Sequence, residues 1–201
     1  MVDLRTSVRP NVCENSRVPL IELVAPDPAW PAQFVEIERE LDAVFGSTAL
    51  RIDHIGSTSV PGLAAKDIID VQVTVASLDP TIVDAMVDAG FVHRDDIDTD
   101  LLTGCDQPAE LRKLYFNERP GDRRANIHVR VAGCLNQRYA LLFRDHLRAD
   151  EAVRDGYAEL KAVIARAYPD EPEKYYDVKD PVMDIIFRGA EYWAATVGWT
   201  Q

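Results

Sequence analysis

At 201 residues the chain is long enough to bury a sizeable core as one domain, without disulfide or metal staples. Its 34 acidic and 22 basic residues give a formal net charge of −12, which argues against nucleic acid as a partner because phosphate backbones are held by clustered Lys and Arg. Cys13, Cys105 and Cys134 are odd in number and lack CxxC spacing, which argues against a metal finger or a disulfide framework.

Residues 1–19 are polar, carry Pro10 and Pro19 and show no hydrophobic period, so they are expected to be a loose arm before one domain over 20–201. The segment has no signal-peptide h-region, and no run approaches the roughly 18 apolar residues of a membrane span, so the cytoplasm is the expected compartment. A short strand over Leu20–Val24 comes next. Asp27 is the expected N-cap, with Pro28 opening a helix whose stripe is Phe34, Ile37, Leu41, Val44 and Phe45, stopped by Gly46. "ALRIDHIGS" follows as a strand and turn, and Ile68–Val75 as a buried strand rich in β-branched residues. Asp79-Pro80 starts a second helix that ends at Gly90. The stretch 93–110 is acidic and irregular, expected to cross the surface as a loop. "LRKLYFNERPGDRRANIHVRV" predicts two strands about a Pro120-Gly121 turn. Helices over 136–148 and 150–167 are expected next, then "PDEPEKYYDVKD" as a connector to a final helix ending near Trp199. This order predicts an α+β or mixed α/β layout.

Three pieces carry chemistry. In the strand 68–75 alternation puts Asp70, Gln72 and Thr74 on one face, and a carboxylate in an apolar strand must be paired, protonated or bound to a ligand or metal. The loop before it, "GSTSVPG", offers a glycine for close backbone approach at Gly56 and hydroxyls from Ser57, Thr58 and Ser59. It reads either as a phosphate cradle or as a Ser-capped turn, and it matches neither a Walker motif nor a dinucleotide fingerprint. Lys66 either neutralises phosphate or covers the strand end. In "NIHVRV" the residues Asn126, His128 and Arg130 share a face; beside the Asp70 strand, His128 and Arg130 would meet Asp70 and Gln72 across the sheet. His128 is then a ligand, an acid–base group or a half-buried structural histidine. Arg144 and Arg148 in "LLFRDHLR" aim either at one anion or at Asp145 and Asp150. Lys179, between Asp177 and Asp180, is a local ion pair or a secondary site residue.

The motifs "HIGSTSVPGLAAKDIIDVQV", "NIHVRV", "LLFRDHLR" with "YAELK" behind it, and "VKDPVMD" come in the order of the GrpB-like family, over about residues 20–198. "AKDIID" and "NQRYALLFRDHLRADEAVRDGY" resemble most the GrpB-like domain fused behind dephospho-CoA kinase in actinobacteria, though this chain contains no P-loop. The resemblance implies the nucleotidyltransferase superfamily with its DNA polymerase beta-like fold: an α+β domain with a short mixed β-sheet packed by helices and a helical C-terminal half. There, a Gly-Ser turn precedes a strand with two alternating carboxylates, a third stands on a neighbouring strand, and together they hold two divalent metals. Gly56-Ser57 fits the turn and Asp70 the first carboxylate; Gln72 replaces the second and His128 the third, so the chemistry is expected to have changed. Asp70 and His128 are the expected catalytic pair and the holders of one divalent cation, Mg²⁺ or Mn²⁺. A metal-free pocket is the equal alternative. Gly56, Ser57, Thr58, Ser59, Lys66, Gln72 and Arg130 are the expected ligand contacts, for a nucleotide or small phosphorylated molecule. The function implied is nucleotidyl transfer to a small molecule. Its alternative is a non-catalytic nucleotide- or phosphometabolite-binding, or protein-interaction (folding-helper), domain related to coenzyme A biosynthesis.

Overall fold

The structure, a computed structural model, describes residues 21–201; the N-terminal arm, Cys13 and Leu20 lie outside them. Helix α1 (Trp30–Phe45) leads through a short turn into β1 (Ala49–Ile55), then come β2 (Ile69–Val75), α2 (Pro80–Asp88), β3 (Val92–His93), β4 (Lys113–Asn117) and β5 (Ala125–Val131). Three helices follow: α3 (Leu135–Ala149), α4 (Glu151–Ala167) and α5 (Pro172–Val197). The strands form one mixed sheet in the order β1-β2-β5-β4-β3. β2 and β5 run parallel at its centre, and the other neighbours are antiparallel. The architecture is α+β, with the helical C-terminal half that was expected.

Alternation on the two central strands divides the molecule. On one face Ile69, Val71, Val73, Val75, Ile127 and Val129 are buried under α1 and α2, whose Trp30, Ile37, Leu41, Phe45, Ile82 and Met86 complete that core. Each such side chain contributes about 1.5–3 kcal/mol on burial. The other face carries Asp70, Gln72, Thr74, Asn126, His128 and Arg130 and is roofed by the helical half. That half has its own core, including Leu142, Phe143, Leu147, Tyr157 and Phe187. A covered polar face must satisfy every donor and acceptor internally or with a ligand, and the candidate site lies there.

The structure corrects four local expectations. Asp27 is not the N-cap of α1: its carboxylate takes the Ala29 N–H at 2.8 Å, and the helix begins at Trp30, because Pro31 rather than Pro28 fills the first turn. In β1 the strand alternation that would set Leu50 on one side with Ile52 and His54 is broken: the register slips between Ala49 and Arg51, and Leu50 is exposed. Of "PDEPEKYYDVKD" only Pro169–Glu171 connects; from Pro172 it belongs to α5, a 26-residue helix that accommodates Pro181 internally. Its periodicity is hidden because Tyr176, Lys179, Asp180 and Asp184 line a polar cavity instead of an apolar core. The acidic stretch 93–110, finally, does more than cross the surface: it carries Asp100 inward, and Leu102 is buried. Asp79, by contrast, caps α2 as expected, accepting from the Thr81 N–H at 2.8 Å.

Candidate functional site

The cavity between the polar sheet face and α3–α5 has a volume of about 510 Å³, the size that takes a nucleotide-sized ligand. Gly56, Ser57, Thr58, Lys66, Asp70, His128 and Arg130 line it; Ser59, Gln72, Arg144 and Arg148 do not. Register explains the convergence: Asp70 pairs with Asn126, Gln72 with His128 and Thr74 with Arg130 across the parallel β2–β5 ladder.

The turn after β1 is built for close approach. Gly56 sits at φ +68°, and a Cβ there would overlap the Asp70 carboxylate. Ser59 closes the turn from behind: its hydroxyl donates to Gly56 O at 2.6 Å, and its own carbonyl accepts from Arg148 Nη2 at 2.8 Å. Thr58 lines the cavity, but its hydroxyl is engaged by His54 Nε2 at 3.0 Å. Burial, with Arg148 and Arg144 nearby, holds the His54 imidazole down at about 4, so it is neutral at physiological pH. Ser57 is the hydroxyl of the turn that meets a cavity lysine: Lys161 Nζ donates to Ser57 Oγ at 2.9 Å and to Ala64 O at 2.6 Å.

Asp70 faces the cavity, with its Oδ1 accepting from Asn126 Nδ2 at 2.8 Å. Burial raises its pKa, while the Asn126 hydrogen bond, Lys66, Lys179 and Arg130 work in the opposite direction. Gln72 is fully buried and faces no ligand space; its Oε1 accepts from Arg130 Nη1 at 2.8 Å and its Nε2 donates to Gln137 O at 3.1 Å. Arg130 has every nitrogen engaged, with Nε on Asp100 at 2.8 Å and Nη2 on His128 Nδ1 at 3.2 Å. Burial and the neighbouring Arg130 and Lys113 hold His128 well below the usual imidazole range.

Asp100 is the site residue that sequence reasoning missed. It accepts from Lys113 Nζ at 2.6 Å, Arg130 Nε at 2.8 Å and Asn136 Nδ2 at 3.1 Å. Despite burial, Arg130 and Lys113 hold its carboxyl far below the ordinary carboxylate range. One acid in an irregular acidic stretch gave no periodic signal to single it out. Lys161 was missed too, although it closes the motif "YAELK". Its residue is 2% exposed, and burial, followed by the repulsion of Lys179, lowers its pKa to about 7. Lys66 donates to the Tyr176 hydroxyl and stands 4.8 Å from that ring's centroid. Lys179 pairs with Asp180 at 2.7 Å, the local ion pair expected of it, and also lines the cavity. Arg144 and Arg148 do not reach the cavity. They bind Asp145, Asp53 and the backbone of His54 and Ser59, latching α3 to β1 and its turn.

The donor set does not fit a two-cation centre. Mg²⁺ asks for oxygen ligands in near-octahedral array, but Asp70 is the one carboxylate of this sheet face that lines the cavity: Gln72 and Asn126 are amides, and Asp53, opposite Gln72 on β1, is taken by Arg51 and Arg144. Gln72 is closed off by Arg130, and His128 sits against two fixed cations. Among the described residues no three His, Cys, Asp or Glu side chains come together as metal ligands.

With this geometry in place, the relatives become informative. The family profile described as GrpB protein matches residues 20–188. The chain belongs to the GrpB family. It is 36% identical over 197 residues to the dephospho-CoA kinase of Mycolicibacterium paratuberculosis, covering 89% of this chain and 48% of that one, so it spans about half the length of that relative. It is 32% identical over 178 residues to the UPF0157 protein BH1888 of Halalkalibacterium halodurans, covering 88% of this chain and 84% of the other. Its fold matches the crystal structure of the conserved GrpB protein from Enterococcus faecalis with a TM-score of 0.69 and 31% identity, over 86% of this chain and 99% of that one. Among the described residues, no helix of this GrpB protein is long and apolar enough to cross a membrane.

Proposed function

We propose that this GrpB protein binds a small phosphorylated molecule, a nucleotide or a phosphorylated metabolite, in the cavity over β2 and β5. The carrying observation is a pair of lysines. Lys113 and Lys179 each have a carboxylate partner, whereas Lys66 and Lys161, beside the Gly56–Ser57 turn, form no ion pair among the described residues. Burying a cation without an anion is costly, and a phosphate is the anion that a glycine turn, a serine hydroxyl and two lysines suit. Tyr115, Tyr157, Tyr175 and Tyr176 on the walls supply flat apolar surface for the rest of such a ligand.

Nucleotidyl transfer is the second reading, favoured by the Gly56–Ser57 turn lying against the Asp70 carboxylate of β2. It requires turnover that Asp70→Asn abolishes while binding survives. The test is thermal unfolding against nucleoside mono-, di- and triphosphates, dephospho-CoA and coenzyme A, the last two because mycobacterial relatives are dephospho-CoA kinases. A ligand at about 100 times its Kd adds about 2.7 kcal/mol, a rise of several degrees for a chain of this length. No stabilisation by any phosphorylated compound contradicts the proposal.

A further inference from the structure

Arg130 stands at the floor of the cavity as a fixed positive charge. Its three guanidinium nitrogens are held by acceptors on three different segments: Asp100 in the irregular stretch before β4, Gln72 on β2 and His128 on its own strand. Arg130 is 6% exposed and lines the cavity, so it cannot swing out to water. Lys113 lies on the far side of Asp100 at 2.6 Å. Arg130, Lys113 and Asp100 together therefore carry one net positive charge, set in the lining of the cavity. Gln72, the next side chain after Asp70 on this face, turns its oxygen to Arg130, and it does not line the cavity.

We infer that this locked guanidinium does the electrostatic work of a divalent cation, so that the phosphorylated ligand is held without a metal ion, by the Arg130 charge and by the free donors of Lys66 and Lys161. The inference rests on the phosphate reading above and deepens it: the ligand enters as the free anion, not as a metal chelate. A dication placed beside Asp70 would meet Lys66, Lys179 and Arg130 and find Asp70 as the one sheet carboxylate that lines the cavity. A phosphate meets complementary charge on the same ground.

The test is calorimetric titration of inorganic pyrophosphate and of ATP into the full chain, once in EDTA and once in Mg²⁺ or Mn²⁺. In parallel, the electron paramagnetic resonance spectrum of Mn²⁺ is recorded with protein alone. The expected result is affinity in EDTA equal to or tighter than with metal, a Mn²⁺ spectrum that stays that of the free ion, and binding weakened by about tenfold or more in Arg130→Gln. If Arg130→Gln does not fold, the wild-type arms decide alone. Binding that needs Mg²⁺ or Mn²⁺, or Mn²⁺ captured by the protein alone, overturns the inference and leaves the phosphate reading standing. Absence of binding in every arm overturns the phosphate reading, and the inference falls with it.

Discussion

Gly56 and Asp70 share one volume: a Cβ built on Gly56 would lie 2.8 Å from both Cβ and Cγ of Asp70. The turn can therefore touch the strand only because residue 56 has no side chain, and its φ of +68° asks for glycine a second time. Gly56→Ala is expected to cost about 2 kcal/mol from backbone strain and displacement of Asp70. That is roughly 4 °C or more of Tm for a domain of this size. A differential scan of the variant checks it; an unchanged Tm would show that the turn does not depend on this contact.

Asp100 holds two buried cations, so Asp100→Asn leaves Arg130 and Lys113 without their anion. A loss of about 3–5 kcal/mol is expected, as for other broken buried pairs. The pH dependence has a definite sign. A carboxylate held below its unfolded value contributes stability that is present above about pH 4 and is lost as pH falls toward its folded value. Urea denaturation of wild type between pH 3 and 7 should show this acid-side loss, and the Asp100→Asn protein should show less of it.

Lys161 behaves in the opposite way. Its folded pKa of about 7 lies below the unfolded lysine value of about 10.4, so the unfolded chain binds more protons between them and wild-type stability rises with pH across that window. Lys161→Met removes the penalty. The variant should gain most relative to wild type at pH 7 and below, and the gap should narrow toward pH 10, as read by denaturation at pH 6, 8 and 9.5. A gap independent of pH would mean that Lys161 stays charged in the fold.

Much of the fold could be read from the sequence because its apolar face follows simple periods. β2 alternates cleanly, α1 shows its stripe, and Asp79-Pro80 marks the start of α2. The candidate site was legible as a shared strand face: alternation puts Asp70, His128 and Arg130 on one side of the sheet, but it does not give the register, which sets Asn126 opposite Asp70, His128 opposite Gln72 and Arg130 opposite Thr74. It was illegible where polar residues do the work of a core. The first half of α5 presents tyrosines, a lysine and acids to a cavity and so mimics a loop. Asp100 comes from a stretch with no period at all, and Gln72, on the right face, is consumed by Arg130. Sequence spacing reports which way a side chain points; it does not report which neighbour has already claimed it.

The phosphate reading depends most directly on Lys66 and Lys161, so the deciding measurement is calorimetric titration of pyrophosphate into wild type and into the Lys66→Met/Lys161→Met double variant. Loss of two charge-assisted contacts, each worth about 1.5–3 kcal/mol, is expected to weaken binding by about 100-fold or more, with the variant at least as stable as wild type. Equal affinity in the two proteins would contradict the account and place the anion site, if there is one, away from this cavity.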